Sequence, residues 1–205
     1  FDDVYFSTDS GLEEARIVFL KACGLPDRWS DVTKFTVGEL GFGTGLNFLA
    51  TVQLWLSSPK QDNAWLHFVS VEGFPLSRAD AEKALSRWPE LYEFSSLLLS
   101  RWPVRTRGTQ RISFPEWRIT LTIMIDEAES CLPECIAEVD AWFLDGFSPS
   151  KNPTLWSETV LDEVTRLAAH GCQLGTYSAA GAIRRGLSER GWHVEKVPGF
   201  GRKRD

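Results

Sequence analysis

The sequence predicts an α/β fold in which a doubly wound, mostly parallel sheet is covered by helices on both faces. Three observations lead to this class: strand-like and helix-like segments alternate, a glycine-rich turn joins the first strand to a helix, and acidic residues follow several strands. With 205 residues and 43% hydrophobic content, the chain is long enough for a sizeable core. Since no repeat or linker interrupts the pattern, we expect residues 1–205 to form one domain.

In the first half of the chain, the hydrophobic pattern predicts four helical segments and two strands. Pro59 and Pro89 each stop a helix. The second strand is apolar enough to be buried on both faces, as parallel strands are. In order, the predicted elements are a helix from Gly11 to Leu20, a strand from Phe35 to Leu40, a helix from Leu46 to Leu56, a strand from Leu66 to Glu72, and helices from Arg78 to Trp88 and from Leu91 to Trp102.

In the second half, Pro115 and Glu116 split two strand-like runs, which predicts a hairpin leading into a core strand. Strands and helices then alternate again, as the crossovers of a parallel sheet require. The predicted elements are strands from Gln110 to Phe114, from Arg118 to Ile125 and from Val139 to Asp145, a helix from Thr154 to Ala169, a strand from Gly171 to Tyr177, a helix from Ala179 to Arg190 and a strand from His193 to Val197.

The turn after the first strand, Glu39-Leu-Gly-Phe-Gly-Thr-Gly45, is the most informative motif. Gly41, Gly43 and Gly45 reach positive φ at low cost and let backbone amides approach a ligand at the positive end of the next helix. A dinucleotide-binding turn would place its third glycine at position 46, which is Leu46 here. The observed spacing is typical of S-adenosylmethionine (SAM) methyltransferases of the Rossmann-like class I. The alternative is a tight strand-to-helix connection that binds nothing.

Composition argues against several other classes of protein. The net charge of -6 does not suit a general nucleic-acid binder. The four cysteines lack paired C-x-x-C spacing and only three histidines are present, so no metal site is predicted. The nine tryptophans are scattered beside apolar neighbours, which favours packing over base stacking. No apolar run approaches the roughly 20 residues that span a membrane, so no membrane partner is expected.

The C-terminal end of the chain is basic although the whole chain is acidic. From position 184 onward there are seven cationic and three acidic side chains. A basic patch on an acidic body suits a polyanion that is held at one place, and the final arm of glycines and cations suits phosphates. For the arginines on the last helix, the alternative is solvation of a helix face. The predicted contacts are Arg184, Arg185, Arg202, Lys203 and Arg204.

Acidic residues end or follow three predicted strands, at the edge where a doubly wound sheet binds ligands. Glu72 is placed to accept hydrogen bonds from ribose hydroxyls, because a carboxylate is acceptor-only and can take both protons. Asp126 is placed to receive the adenine amino group. Each carboxylate alone could be a helix N-cap or a solvated turn residue. Together with Asp145 and the glycine turn, they favour a nucleoside site.

The run Asp145-Gly-Phe-Ser-Pro149 predicts a rigid turn that directs an acid and an aromatic side chain, Asp145 and Phe147, towards the reactive end of the cofactor. SAM brings its own cationic leaving group, so the protein mainly aligns the nucleophile with the methyl group. An amine must be neutral to attack. Asp145 is therefore the predicted catalytic residue, which orients the amine and accepts a proton. The alternative is a turn stabilised by an Asx hydrogen bond.

Five stretches recur together in one known family. They are Phe1-Asp-Asp-Val-Tyr-Phe-Ser7 with Gly11-Leu-Glu-Glu14, Glu39-Leu-Gly-Phe-Gly-Thr-Gly-Leu-Asn47, Trp142-Phe-Leu-Asp-Gly-Phe-Ser-Pro149, Lys151-Asn-Pro153 and Gly199-Phe-Gly-Arg-Lys-Arg204. In these stretches the chain resembles, from end to end, the methyltransferase domain of the MnmC family of tRNA wobble-uridine modification enzymes.

The resemblance implies SAM-dependent N-methylation of the aminomethyl group of 5-aminomethyl-(2-thio)uridine at the wobble position of tRNA, giving 5-methylaminomethyl-(2-thio)uridine. The anticodon stem-loop would be the partner and the cytoplasm the location. Family members often carry a flavin-dependent oxidoreductase domain, in cis or in trans, for which this chain has no room, so no FAD is expected here. The resemblance also implies that Tyr5 closes over the cofactor. The predicted cofactor-binding residues are Tyr5, Glu39, Gly41, Gly43, Gly45, Asn47, Glu72, Asp126 and Phe147.

Three other functions stay open on the sequence alone. One is a SAM-dependent methyltransferase that acts on a different amine, in a small molecule or another RNA. A nicotinamide-dependent oxidoreductase is the second, and Leu46 at the third dinucleotide position argues against it. The last is a non-catalytic RNA-binding domain that retains the fold.

Overall fold

A six-stranded sheet forms the centre of the molecule within residues 11–146, 149–178 and 180–195, which the computed structural model describes. Its order is β3-β4-β2-β1-β5-β6, and only β3 runs antiparallel to its neighbour among these described pairs. The doubly wound, mostly parallel α/β class is thus confirmed. The strands are β1 (Lys34–Leu40), β2 (Trp65–Glu72), β3 (Gly108–Phe114), β4 (Ile119–Ile125), β5 (Val139–Leu144) and β6 (Ala168–Thr176).

Helices cover both faces of this sheet. The helices are α1 (Gly11–Ala15), which continues as a π-helix over Arg16–Lys21, α2 (Leu46–Ser57), α3 (Arg78–Leu85), α4 (Tyr92–Ser100), α5 (Ala128–Cys131), α6 (Glu158–Leu167) and α7 (Gly181–Glu189). Serine side chains cap two of them: Ser77 accepts from the Asp80 amide and Ser157 from the Val160 amide. None of the described helices is both long and apolar enough to cross a membrane.

Two hydrophobic clusters form the core, one on each face of the sheet. The first joins β1, β2 and β4 to α1, α2 and α4, and the second joins β5 to α5, α6 and α7. Trp29, Trp55 and Trp142 are almost completely buried in these clusters, and Trp29 meets Trp55 edge-to-face at 5.2 Å between ring centroids. The tryptophans in the described core therefore pack, as the sequence predicts.

The strand order reverses between β1 and β5. From β1 the chain proceeds outward to β2 and to the edge strand β3, turns back into β4 between them, and then crosses to β5 on the other side of β1. The carboxyl ends of β1 and β5 therefore flank the crevice in which sheets of this class bind ligands. This topology brings the glycine turn and Asp145 to the same place.

Several predicted elements differ from the structure. α6 ends at Leu167 because Ala168 is already extended and pairs with Val139, and Gly171 at φ 77° precedes the shifted register that pairs Gln173 with Ala141. α3 ends at Leu85, before Trp88. The predicted final strand does not form over residues 193–195, and residues 196 and 197 lie outside the described part.

β2 is also less buried than expected. Its first half alternates between buried and half-buried positions, and only its carboxyl end is buried on both faces. That end carries Ser70 and Glu72, both buried. The most enclosed part of the strand is therefore the part beside the crevice.

Candidate active site

The turn from β1 into α2 has the backbone conformation that its glycines predict. Gly41, Gly43 and Gly45 have φ of 91°, 53° and 77°, values that side chains with a Cβ rarely adopt. The Gly41 amide donates to the Val71 carbonyl oxygen and the Gly45 amide to the Phe42 carbonyl oxygen, each at 2.8 Å. Gly45 directly precedes α2, so the turn ends at the positive end of that helix.

The glycine turn lies directly against the end of β5. A Cβ added to Gly41 would overlap the carbonyl oxygen of Asp145. Only a residue without a side chain permits this approach. The predicted catalytic carboxylate is thereby held next to the predicted cofactor turn.

A chain of hydrogen bonds, here called the Asp145 network, connects β2, β1, α2 and Asp145. The Asn47 Nδ2 group donates to Asp145 Oδ2 at 2.7 Å and to Glu39 Oε1 at 3.0 Å. Ser70 Oγ donates to Glu39 Oε2 at 2.6 Å. The parallel register explains the last contact, since Ser70 pairs with Glu39 across β1 and β2. Glu39 is thus linked to Asp145 through Asn47, whose side chain holds both carboxyl groups in place.

Glu39 is the most deeply buried acid of this site, with 1% of its surface exposed. Burial raises its pKa to about 8, and the charges of Asp145 and Glu72 add to this effect, while the hydrogen bonds from Ser70 and Asn47 oppose it. The group is therefore mainly protonated at neutral pH. An additional positive charge in the site would favour its ionised form.

This shift predicts that Glu39 makes stability depend on pH. The unfolded side chain ionises near its ordinary pKa of 4.5 and the folded one near 8, so folding takes up a proton between these values. Stability from this group is then lost as pH rises through that window, by at most ~1.4 kcal/mol per pH unit. We expect Glu39→Gln to flatten the fall in unfolding free energy between about pH 5 and about pH 8.

The measurement is chemical denaturation of both proteins at a series of pH values. Glu90→Gln, which removes one exposed carboxylate, is the control and should leave the slope as in the unmodified chain. An identical slope in the Glu39→Gln protein would contradict a buried, protonated Glu39.

Glu72 fixes the glycine turn from the end of β2. One carboxylate oxygen accepts from the Gly43 amide and the other from the Phe74 amide, both at 2.7 Å. Burial raises the pKa of Glu72, and these amides oppose the rise. Because each carboxylate oxygen can accept more than one hydrogen bond, acceptor capacity for ribose hydroxyls is retained.

Asp126 lies beside Glu72 at the sheet edge, since Glu72 pairs with Ile125 in the register of β2 and β4. Arg107 Nε donates to Asp126 Oδ2 at 2.6 Å, and the Glu127 amide donates to Oδ1 at 2.8 Å. This ion pair holds the pKa of Asp126 below its ordinary value. An adenine amino group would have to share the carboxylate with Arg107, so the role of Asp126 stays a prediction.

The predicted polyanion contacts are only partly within the described residues. Arg184 and Arg185 are exposed on α7, which begins shortly after the carboxyl end of β6. Arg190, at the other end of α7, pairs with Glu158 at 2.7 Å and Asp162 at 2.6 Å and so fastens α7 to α6. Outside the described residues lie Tyr5, Phe147, Arg202, Lys203 and Arg204.

The site includes residues that sequence reasoning missed. Ser70 carries a hydroxyl in a mostly apolar strand, which is a usable signal. The Thr44 hydroxyl, inside the glycine turn, is buried and has no hydrogen-bond partner among the described residues. Tyr177 packs edge-on against Phe19 at 4.9 Å, and partial desolvation together with the charge of Asp145 raises its pKa. No pattern in the sequence marks Tyr177.

Within the described ranges, no group of three or more His, Cys, Asp or Glu side chains is arranged to hold a metal ion. The carboxylates at the crevice are instead separated by amide and hydroxyl donors. Their hydrogen bonds run to protein groups, as for Glu39 and Glu72.

The fold and the glycine turn define a SAM-dependent methyltransferase. A family model described as S-adenosyl-L-methionine-dependent methyltransferase matches residues 89–205. Because this match covers more than half of the chain, the protein belongs to that family. Class I, Rossmann-like architecture is thereby confirmed.

Curated relatives identify the branch of the family that this chain resembles. It is 51% identical over 205 residues to the tRNA 5-methylaminomethyl-2-thiouridine biosynthesis bifunctional protein MnmC of Maricaulis maris, covering 100% of this chain and 35% of the relative. The protein of the same name from Vibrio campbellii is 47% identical over 216 residues, covering 100% and 32%. The resemblance inferred from the motifs is confirmed. The chain spans about a third of the length of these relatives.

A solved structure supports the same relationship. MNMC2 from Aquifex aeolicus superimposes with a TM-score of 0.75 at 25% sequence identity, covering 98% of this chain and 61% of that one. The backbone likeness thus extends over nearly the whole of this chain.

Proposed function

We propose that this chain catalyses SAM-dependent N-methylation of the aminomethyl group of 5-aminomethyl-(2-thio)uridine at the wobble position of tRNA, giving 5-methylaminomethyl-(2-thio)uridine. The observation that carries the proposal is 51% identity over the whole chain to a relative named for the biosynthesis of that nucleoside. The Asp145 network, which holds a carboxylate against a SAM-type glycine turn, supports it.

The residues at the crevice fit SAM. Glu72 and Asp145 bring negative charge to one place, and their repulsion contributes to the raised pKa of Glu39. A cofactor with a cationic sulfonium and an ammonium group complements this charge. The Thr44 hydroxyl, without a partner among the described residues, offers a further polar contact in the turn.

Each predicted cofactor residue has a proposed role. Gly41, Gly43 and Gly45 would admit the cofactor close to the backbone, and Glu72 would bind the ribose hydroxyls. Asn47 and Glu39 would position Asp145 beside the methionine end. Asp126, Tyr5 and Phe147 are proposed cofactor contacts on the grounds of sequence alone.

Asp145 would act on the acceptor amine. When bound, SAM supplies an electrophilic methyl group on a sulfur that leaves with the bonding electron pair. The neutral amine nitrogen forms the new N–C bond as the S–C bond breaks, and the nitrogen then gives up one proton. Asp145, aligned by Asn47, orients the amine through a hydrogen bond and accepts that proton.

The proposal extends to organisation and partners. We infer that residues 1–205 form one methyltransferase domain, and that a flavin-dependent oxidoreductase acts with it in cis or in trans, since its relatives are named bifunctional. The anticodon stem-loop would be gripped by Arg184 and Arg185 of α7 and by the cations at positions 202–204. The cytoplasm would be the location. The flavin would belong to the partner and not to this chain.

A comparison of acceptors tests the proposal. The chain is given SAM with, in turn, tRNA that carries 5-aminomethyl-(2-thio)uridine, an unmodified transcript of the same tRNA, and small primary amines. We expect methyl transfer only to the first. Transfer to a small amine at a comparable rate would favour the other candidate function, a methyltransferase for small molecules.

A further inference from the structure

A shallow cleft opens at the carboxyl edge of the sheet, between the segment after β2 and the loop after α4. Its volume is about 360 Å³, and its walls include Ser77, Arg78, Trp102 and Arg105. Arg78 is the first residue of α3, and Arg105 lies in the loop before β3. The cleft therefore has one arginine on each side.

Hydrogen bonds fix both walls of this cleft. Trp102 Nε1 donates to the Leu76 carbonyl oxygen at 3.1 Å, which ties the loop to the segment after β2. The Gln110 side chain accepts from the Val104 amide at 2.9 Å and donates to the Val104 carbonyl oxygen at 2.6 Å. The loop is thus held in place before any ligand binds, which lowers the entropic cost of binding.

The two arginines of the cleft are exposed and make no ion pair with any residue of the described part. Other arginines of this region are engaged: Arg101 pairs with Glu116 and Arg107 with Asp126. Asp80, two residues after Arg78, accepts from Ser77 Oγ at 2.5 Å. In a chain of net charge -6, two available guanidinium groups across one cleft are a local site for anions.

The cleft shares a wall with the glycine turn. The Trp102 ring lies 5.7 Å from the Phe42 ring, between centroids, and Phe42 belongs to that turn. Ser77, the N-cap of α3, follows Glu72, the last residue of β2, by only five positions. A molecule held in this cleft therefore lies beside the glycine turn, on the β2 side of the crevice.

We propose that Arg78 and Arg105 bind backbone phosphates of the RNA that carries the acceptor amine. The inference rests on the proposed function. Planar guanidinium groups match phosphate oxygens in pairs, and an RNA backbone presents several phosphates around its reacting nucleotide. The rigid cleft would fix the RNA backbone on the β2 side of the site, opposite to α7. The base that lies between the cleft and α7 would then be directed at Asp145.

The test compares the full chain with its Arg78→Ala/Arg105→Ala variant on tRNA that carries the aminomethyl nucleoside. We expect KM for tRNA to rise about 10-fold at low salt, and the slope of log affinity against log salt to fall in magnitude by about 1 to 2. The Kd for SAM and kcat at saturating tRNA should not change. Arg78→Lys/Arg105→Lys keeps both charges and should restore most of the binding.

Lys83→Ala/Arg87→Ala is the matched control, because it removes the same charge from the last turn of α3 and the segment just beyond it. It should leave KM and the salt slope unchanged. Equal KM and slope in the cleft variant and the unmodified chain would overturn the inference and leave the methylation intact. If the unmodified chain transfers no methyl group to tRNA, the proposed function fails instead, and tRNA binding measured on filters still decides whether the arginines hold RNA.

Discussion

Asp145→Asn is expected to lower the rate of methyl transfer about 10²-fold or more, while SAM binding weakens by a smaller factor, about 10-fold or less, because one of the negative charges near the cofactor is lost. An asparagine at this position can still accept the hydrogen bond from Asn47 Nδ2, which spans 2.7 Å in the structure. The substitution therefore retains the packing and removes the negative charge and the proton acceptor. Single-turnover kinetics with tRNA, together with calorimetric SAM titration, measure the two effects separately.

Asp140→Asn is the matched control for this change. Asp140 lies near the start of the same strand, and its carboxylate accepts from the Thr36 amide at 2.7 Å, a bond that asparagine can also accept. Its variant should transfer methyl groups at nearly the normal rate. If Asp145→Asn proved equally active, Asp145 would be a turn residue and no part of the chemistry.

The second large effect is expected from Gly41→Ala. The new methyl group would have to occupy the space of the Asp145 carbonyl oxygen, at a φ of 91°. The left-handed backbone alone costs about 1–2 kcal/mol for a residue with a Cβ. Separation of β1 from β5 adds to this backbone cost, so the free energy of unfolding should fall by about 3 kcal/mol or more in total. Because the glycine turn itself is displaced, SAM binding should also be lost. Denaturant titration and calorimetry measure these losses.

Gly171→Ala distinguishes the overlap from the backbone strain. Gly171 has a similar φ of 77°, but a Cβ there meets no atom within 4 Å among the described residues. Its alanine variant should lose only the backbone term and bind SAM normally. Equal stability losses at the two positions would show that the turn after β1 and the end of β5 are not in close contact.

Local patterns explain which parts of the site the sequence predicts. The glycine turn is set by spacing within a few residues, and the positive φ at Gly41, Gly43 and Gly45 confirms that reasoning. The placement of Asp145 opposite this turn follows from general rules of doubly wound sheets. Such rules apply to any chain with this alternation of strands and helices.

Contacts between distant segments explain what the sequence does not predict. Asn47 meets Asp145 across 98 positions of the chain, and Ser70 meets Glu39 across 31. These pairs depend on the register of two strands and on the approach of α2 to β5. The pairing of Asp126 with Arg107 likewise depends on how β3 pairs with β4. Side chains that act only through such neighbours have no pattern of their own.

The most direct test of the central claim follows the methyl group itself. The chain is incubated with SAM that carries a trideuterated methyl group and with tRNA rich in 5-aminomethyl-(2-thio)uridine, and the tRNA is then digested to nucleosides for mass spectrometry. The account predicts that the deuterium label appears in 5-methylaminomethyl-(2-thio)uridine as its aminomethyl precursor disappears. Label in a different nucleoside, or no label from a chain that binds SAM, would contradict it.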